Sequence, residues 1–379
     1  MNTKKRILIT GARAPYTLEL IRALGKCGHT IYVAESLSIT VSSFSRYIEK
    51  TIQVASPRQK TESFIQQLIQ IIQDYSIDLL IPTCEESYYI SEHLETIQSF
   101  CEVFTDSFTK ILDLHNKFTF IESMKKWNFN TPETFLVNDS TNLQQLHLHS
   151  QKTYIYKPVY SRFGIQVMDF TVDKLEELAT LKSSPFVPFV VQEKLVGKEF
   201  NLFAICHKGK MLSSAIYDNR YKSGKSSVYF RKVDRPTIQK WLTKVVEKIN
   251  FTGFIGFDVM ETNGFIYPLE CNPRCTSGIH LINPEVIATC LIDKRTPLEQ
   301  IDYQSTKALI FGMLLAKKDR DWLPSILKAK DVLWDTDDLL PFLTQPLSLI
   351  PLWKRMIHER ISLIEATTLD IEWNGDYSQ

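Results

Sequence analysis

No stretch of this sequence is apolar for long enough to cross a bilayer, which would take roughly 18 residues or more, so no integral membrane segment is expected. The opening MNTKKRILITGA is basic but reaches Thr10-Gly11 after only a few apolar residues, which argues against a secretory signal. There is no Cys-x-x-Cys. The seven cysteines (27, 84, 101, 206, 271, 275 and 290) are scattered and odd in number, as expected of a chain in a reducing cytoplasm. Cys271 and Cys275 have only His280 nearby, too few partners for zinc. Neither sign of charge dominates: 44 Lys+Arg against 43 Asp+Glu leave a net charge of +1, which gives no general affinity for nucleic acid or membrane. Glycine is sparse where a dinucleotide fold would need it. Only Gly11 lies in the first strand-to-helix turn, which argues against a nicotinamide or flavin cofactor.

What is present is an ordinary globular composition, 44% hydrophobic and 23% charged over 379 residues, enough for two or three domains. The first part alternates strand and helix patterns: strands at 6–10, 31–34, 78–83 and 102–105, and helices at 16–26 and 61–75. That alternation predicts a parallel α/β sheet. Glu85 and Glu86 follow the third of these strands, and ligands of open α/β sheets bind beyond strand carboxyl ends. Glu86 is therefore a candidate for a substrate ammonium; a solvated helix start is the alternative.

From Leu114 the pattern changes. Residues 115–129 read as a helix ended by Thr131-Pro132, TYIYKP (153–158) as a strand carrying Lys157, 165–170 as a strand and 173–181 as a helix. Residues 189–211 read as a strand, a break at Gly197 and a hairpin at Lys208-Gly209, and 236–249 as a helix. This part is α+β with antiparallel strands, so a boundary is expected near 110–116. Arg220 and Arg231 bracket a polar stretch expected to be a loop near the substrate. The remainder, 299–379, reads as helices at 307–316, 322–330 and 349–364. Residues 344–361 are apolar and then basic. They are expected to form an amphipathic helix packed on the core, with a membrane-surface helix as the alternative.

The most informative run is FIGFDVMETNGFIYPLECNPR, residues 254–274. It reads as a hairpin turning at Asn263-Gly264. Glu270 and Asn272 are two apart and share a face of an extended strand. A two-residue loop without a compensating bulge would pair Phe257 with Glu270 and send Asp258 to the opposite face. A three-residue loop over Thr262–Gly264 would put Asp258 on the face of Glu270, and is the expectation. Two carboxylates and an amide oxygen suit a hard cation such as Mg²⁺, which usually shares its shell with nucleotide phosphates.

Taken in order, Lys117, Tyr156-Lys157-Pro158, the loop 161–164, Gln192 to Glu199, Asp258 and Glu270 to Arg274 resemble the ATP-grasp superfamily, particularly its carboxylate–amine ligases and the carbamoyl-phosphate-synthetase-like branch. The resemblance spans about residues 1–295. It implies a Rossmann-like pre-ATP-grasp domain (1–115), a two-part ATP-grasp domain (116–190 on the lid side, 191–298 on the metal side) and a mainly helical C-terminal extension (299–379). Lys117 and Lys157 resemble phosphate-binding lysines, and Ser161 to Gly164 the loop over the phosphates, here with Arg162 and Phe163 where relatives are richer in glycine. Gln192, Glu193, Lys194 and Leu195 resemble the adenine-reading segment, Glu193 the partner of the amino group, and Glu199 the ribose acceptor. Asp258, Glu270 and Asn272 would hold Mg²⁺, with Mn²⁺ an alternative. Arg274 would meet a substrate carboxylate or the transferred phosphoryl group.

The implied reaction phosphorylates a small carboxylic acid with ATP and lets an amine displace phosphate, with Lys157 and Arg274 as the catalytic charges. The alternatives are a kinase that releases its phosphorylated product and a non-catalytic ATP-binding module. The implied partners are a small acid and an amine, with no nucleic acid, and a homodimer is compatible with the sequence.

Overall fold

The computed structural model describes residues 4–138, 146–160, 167–172, 188–224, 226–296 and 306–375. The expected loop at 161–164, with Ser161 and Gly164, and the expected helix at 173–181 lie outside these residues.

Five parallel strands form the first sheet: β1 (Arg6–Thr10), β2 (Thr30–Glu35), β3 (Ile48–Gln53), β4 (Leu79–Ile81) and β5 (Glu102–Val103), in the order β3-β2-β1-β4-β5. Strands β1, β2 and β4 are nearly all buried, and their apolar runs made them legible. The sequence reading missed β3: IEKTIQ is an edge strand, mostly solvent-facing, with no apolar run to announce it. The helices Pro15–Lys26 and Thr61–Asp74 are crossovers; the first is buried all round from Thr17 to Leu24, the second on one apolar side.

An antiparallel four-stranded sheet follows: β6 (Thr134–Val137), β7 (Thr153–Pro158), β8 (Met168–Thr171) and β9 (Phe189–Glu193), ordered β6-β9-β7-β8. The largest sheet is built from β10 (Lys198–His207), β11 (Lys210–Asp218), β14 (Tyr229–Lys232), β15 (Gly253–Thr262), β16 (Phe265–Asn272), β17 (Thr306–Ala308) and β18 (Lys330–Asp331). Its order is β16-β15-β10-β11-β14-β17-β18, and a small ribbon, β12 (Lys222–Ser223) and β13 (Ser226–Ser227), stands beside it. The chain is thus α/β followed by α+β, as its pattern predicts.

The expected helix at 115–129 runs from Lys117 to Lys126, with Asn116 capping Phe118 and Thr119 through its side-chain oxygen, and a further helix, Phe108–His115, precedes it. The expected helix from Lys307 to Ala316 is in part strand β17 and begins only at Ile310. The tail returns to the first sheet. Trp373 is 3% exposed and packs edge-on against Tyr89 and Phe108, with ring centroids 5.4 Å away in both cases. Arg13, just after β1, binds both Glu35 at the end of β2 and Asp370 in the tail. No helix among the described residues is long and apolar enough to cross a membrane.

Candidate functional site

The hairpin β15–β16 turns in two residues, not three: Asn263 and Gly264 have φ of 51° and 80°, and Thr262 pairs with Phe265. Asn-Gly with both φ positive suits the twist of the flanking strands, so the shorter turn is favoured. The register set by that turn continues through Val259↔Pro268 and then slips by one, so that Asp258 pairs with Glu270. Leu269 is the extra residue of a β-bulge, next to Pro268, which has no N–H for the ladder. The bulge brings Asp258 and Glu270 together where the sequence reading relied on a longer loop.

Around this pair the charges alternate. Lys117 Nζ stands 3.8 Å from Glu270 Oε2. Lys157 Nζ donates to Gln192 Oε1 at 2.9 Å and to the carbonyl of the bulge residue Leu269 at 3.4 Å. Asn201 donates to Asp258 Oδ1, and Asn272 Nδ2 lies 3.5 Å from Glu270 Oε1. Burial, together with the Glu270 carboxylate, pushes the Asp258 carboxyl well above the usual carboxylate range. Burial acts the same way on Glu270, but the ammonium groups of Lys117 and Lys157 outweigh it and hold Glu270 at about 2. Burial lowers Lys157 to about 8 against the pull of Glu270, and also lowers Lys117.

Asp258, Glu270 and Lys157 line a cavity of about 950 Å³, together with Glu199, Asn272 and Arg274. Glu199 accepts from Lys222 and Asn219 at 3.1 and 3.0 Å. Arg274 Nη2 donates to Asn272 Oδ1 at 3.1 Å, and Arg274 Nε is 3.7 Å from Glu85 Oε1. The far end of the cavity is walled by Ala14, Pro15, Tyr16 and Cys84 of the first sheet, and by Thr367, Thr368 and Ile371 of the tail.

Other expected residues are placed differently. Glu86 is 2% exposed and is not brought to the cavity. Its Oε1 accepts from Thr10 Oγ1, Thr83 N and Cys84 N at 2.7, 3.0 and 2.9 Å, which ties the ends of β1 and β4 together. Gly11 lies against the same latch: a Cβ there would meet Thr83 Oγ1 at 2.5 Å. Glu193 pairs with Lys152 and Lys194 with Asp169, and the backbone N–H groups of both already donate to Glu133 and Thr153. The four residues Gln192 to Leu195 are not among those lining the cavity. Of the expected polar loop, Asn219 and Lys222 reach the cavity, whereas Arg220 pairs with Asp319 and Asp321, and Arg231 with Asp218.

Sequence reasoning missed Asn201 and the tail. Asn201 was findable, being two residues beyond Glu199 on one strand face. Thr367 carried no local signal.

The donor set fits a hard divalent cation. Two adjacent carboxylates, one of them pushed up by its neighbour, and an amide oxygen on one hairpin face are what such an ion neutralises. Of the two lysines beside them, Lys157 lines the cavity, whereas Lys117 is 3% exposed and stands behind Glu270. Among the described residues no group of three or more His, Cys, Asp or Glu is arranged to hold a metal.

The ATP-grasp domain family matches residues 114–278. An uncharacterised protein of Methanocaldococcus jannaschii is 25% identical over 169 residues, which is 44% of this chain and 42% of that protein. The match therefore spans less than half the length of this curated relative. Among solved structures, an L-amino acid ligase from Bacillus licheniformis superposes with a TM-score of 0.61 at 15% identity, over 76% of this chain and 74% of that one. The ATP complex of carboxyaminoimidazole ribonucleotide synthase from Aspergillus clavatus gives 0.64 at 14% identity, over 82% and 83%. N5-carboxyaminoimidazole synthetase from Staphylococcus aureus gives 0.62 at 15%, over 81% of both. At these identities the structures show a shared fold, and residues 114–278 of the chain match the ATP-grasp domain family.

Proposed function

We propose that this protein is an ATP-dependent ligase that activates a small carboxylic acid as an acyl phosphate and joins it to an amine, releasing ADP and phosphate. The observation that carries the reading is the single cavity running from the carboxylate pair to Arg274 and on to the turn after β1. A nucleotide phosphate held by Lys157 and a second molecule beyond Arg274 would share one cavity, with Lys117 behind Glu270. Solved relatives of this fold include a ligase of amino acids and an ATP-bound synthase, which is consistent with that use.

In this reading Asp258, Glu270 and Asn272 hold Mg²⁺, which supplies charge neutralisation of the triphosphate. Lys157 orients the phosphates, and Arg274 steers the acid carboxylate toward the γ-phosphorus with a planar fork of donors. The carboxylate oxygen attacks phosphorus and ADP leaves; the amine nitrogen then attacks the carbonyl carbon and phosphate leaves. Glu199 sits at the cavity wall where it can accept from a ribose hydroxyl. The segment 192–195 would read adenine through the groups the sheet leaves unused, and the domains are assigned as 1–115, 116–298 and 299–379. The test is an ADP-release screen over amino acids, singly and in pairs, followed by product mass. ADP release that requires both an acid and an amine, with a product formed by loss of water between them, supports ligation. A lone phosphorylated product would replace it with a kinase.

A further inference from the structure

The helix Gln345–Glu359 has no buried residue, contrary to the expectation that it packs into the core. One side, with Leu352, lines the cavity wall, and Arg355 on that helix binds Asp370 of the tail. The opposite side carries Leu347, Ile350, Trp353 and Ile357, which are 41, 38, 49 and 73% exposed. Their spacing of three, three and four places them on one face, and Leu343, 63% exposed, continues it from the preceding turn. A helix that is apolar on both sides at the surface calls for a cover. Most of the exposed large apolar side chains of the described residues lie between Phe311 and Ile364.

Charge decides what the cover is. From Leu339 to Trp353 no residue is charged, and the cations Lys354 and Arg360 follow at the exposed end, with Glu359 as the helix's sole acid. Lys354 and Arg360 enter no ion pair among the described residues. Of the acids just before this stretch, Asp335 and Asp338 face inward, binding Lys26 at 2.7 Å and Arg22 at 2.9 Å, and Asp337 is exposed beside Lys26. A second copy docked antiparallel on this face would set the cations against an uncharged stretch; docked parallel, against each other. An anionic lipid surface satisfies both halves, since the apolar side chains enter the acyl boundary and the cations meet phosphate. Trp353 stands at the junction, where an indole suits the headgroup layer. The helix spans only about 22 Å, too short to cross, so it lies in the plane of the surface.

We propose that the outer face of Gln345–Glu359 docks this protein on an anionic lipid surface, with Leu347, Ile350, Trp353 and Ile357 inserted and Lys354 and Arg360 on the lipid phosphates. The test is co-sedimentation of the full chain with vesicles of phosphatidylcholine containing 30% phosphatidylglycerol, against vesicles of phosphatidylcholine alone. Binding at least about tenfold tighter to the anionic vesicles is expected. It should be lost in Leu347→Ser/Ile357→Ser and in Lys354→Glu/Arg360→Glu, with melting temperatures unchanged because these side chains are exposed. No binding to anionic vesicles by the folded wild type overturns the proposal. So does a concentration-dependent dimer in sedimentation equilibrium that Leu347→Ser/Ile357→Ser abolishes, which would give the face to a second copy.

Discussion

Asp258 faces Glu270 across the hairpin because Leu269 is an extra residue in β16, and the carbonyl of Leu269 in turn receives Lys157 at 3.4 Å. One bulge thus sets the two carboxylates side by side and ties one of the two lysines to them.

That juxtaposition costs the nucleotide-free fold. The Asp258 carboxyl is raised, so the stability of its protonated form is fully present below the unfolded value near 4 and is lost as pH rises through the folded value. Asp258→Asn should therefore raise the melting temperature of the free protein at pH 7 by roughly 2 °C. It should also remove the further stabilisation that Mg²⁺ with ATP gives the wild type. Paired scanning calorimetry runs of wild type and variant check both; an unchanged Mg²⁺-ATP shift would clear Asp258 of the metal role.

Glu270→Gln should cut ADP release by on the order of 10²–10³-fold, since a neutral amide leaves the triphosphate charge uncompensated. Turnover at the wild-type rate would show that the ion binds elsewhere.

The Lys157 ammonium titrates near 8 in the free protein, lowered by burial. Below that value it is charged and attracts phosphate; by pH 9 it has lost about nine-tenths of its charge. ADP affinity measured by titration calorimetry should fall between pH 7.5 and 9.5, and Lys157→Gln should be weaker throughout, with a flatter profile. An equal slope in the variant would assign the pH dependence to another group.

The tail is held to the first sheet by Asp370, whose carboxyl the Arg13 and Arg355 guanidinium groups keep far below its usual range against the effect of burial. This stabilisation is present above the unfolded value near 4 and is lost as pH falls further. Asp370→Ala leaves Arg13 buried with one partner fewer and should cost about 3–5 kcal/mol in urea unfolding. Trp373→Ala should cost a comparable amount through the void it leaves beside Tyr88, Tyr89 and Phe108. Losses under 1 kcal/mol in both variants would mean that the tail is not anchored as described.

Strand and helix periodicity made the first sheet and the helix Pro236–Ile249 legible, because their buried faces require apolar residues at fixed intervals. Edge strand β3 and strand β17, which have little to bury, were not. Glu86 shows the limit for polar groups: a carboxylate beyond a strand end reads as a ligand contact, yet here its partners are Thr10 and two backbone N–H groups.

By itself the sequence determined the residue types and their order: Lys117, Lys157, Asp258, Glu270, Asn272 and Arg274, and an Asn-Gly turn that sets how the last hairpin begins. Only the tertiary structure decided that Asp258 meets Glu270, because a bulge is a local mismatch of hydrogen-bond ladders that side-chain alternation cannot reveal. It also decided that residues 367–371 wall the cavity opened by Ala14 and Tyr16. Chain ends hundreds of residues apart are brought together by the ion pairs of Arg13 and the burial of Trp373, contacts with no periodicity in the sequence.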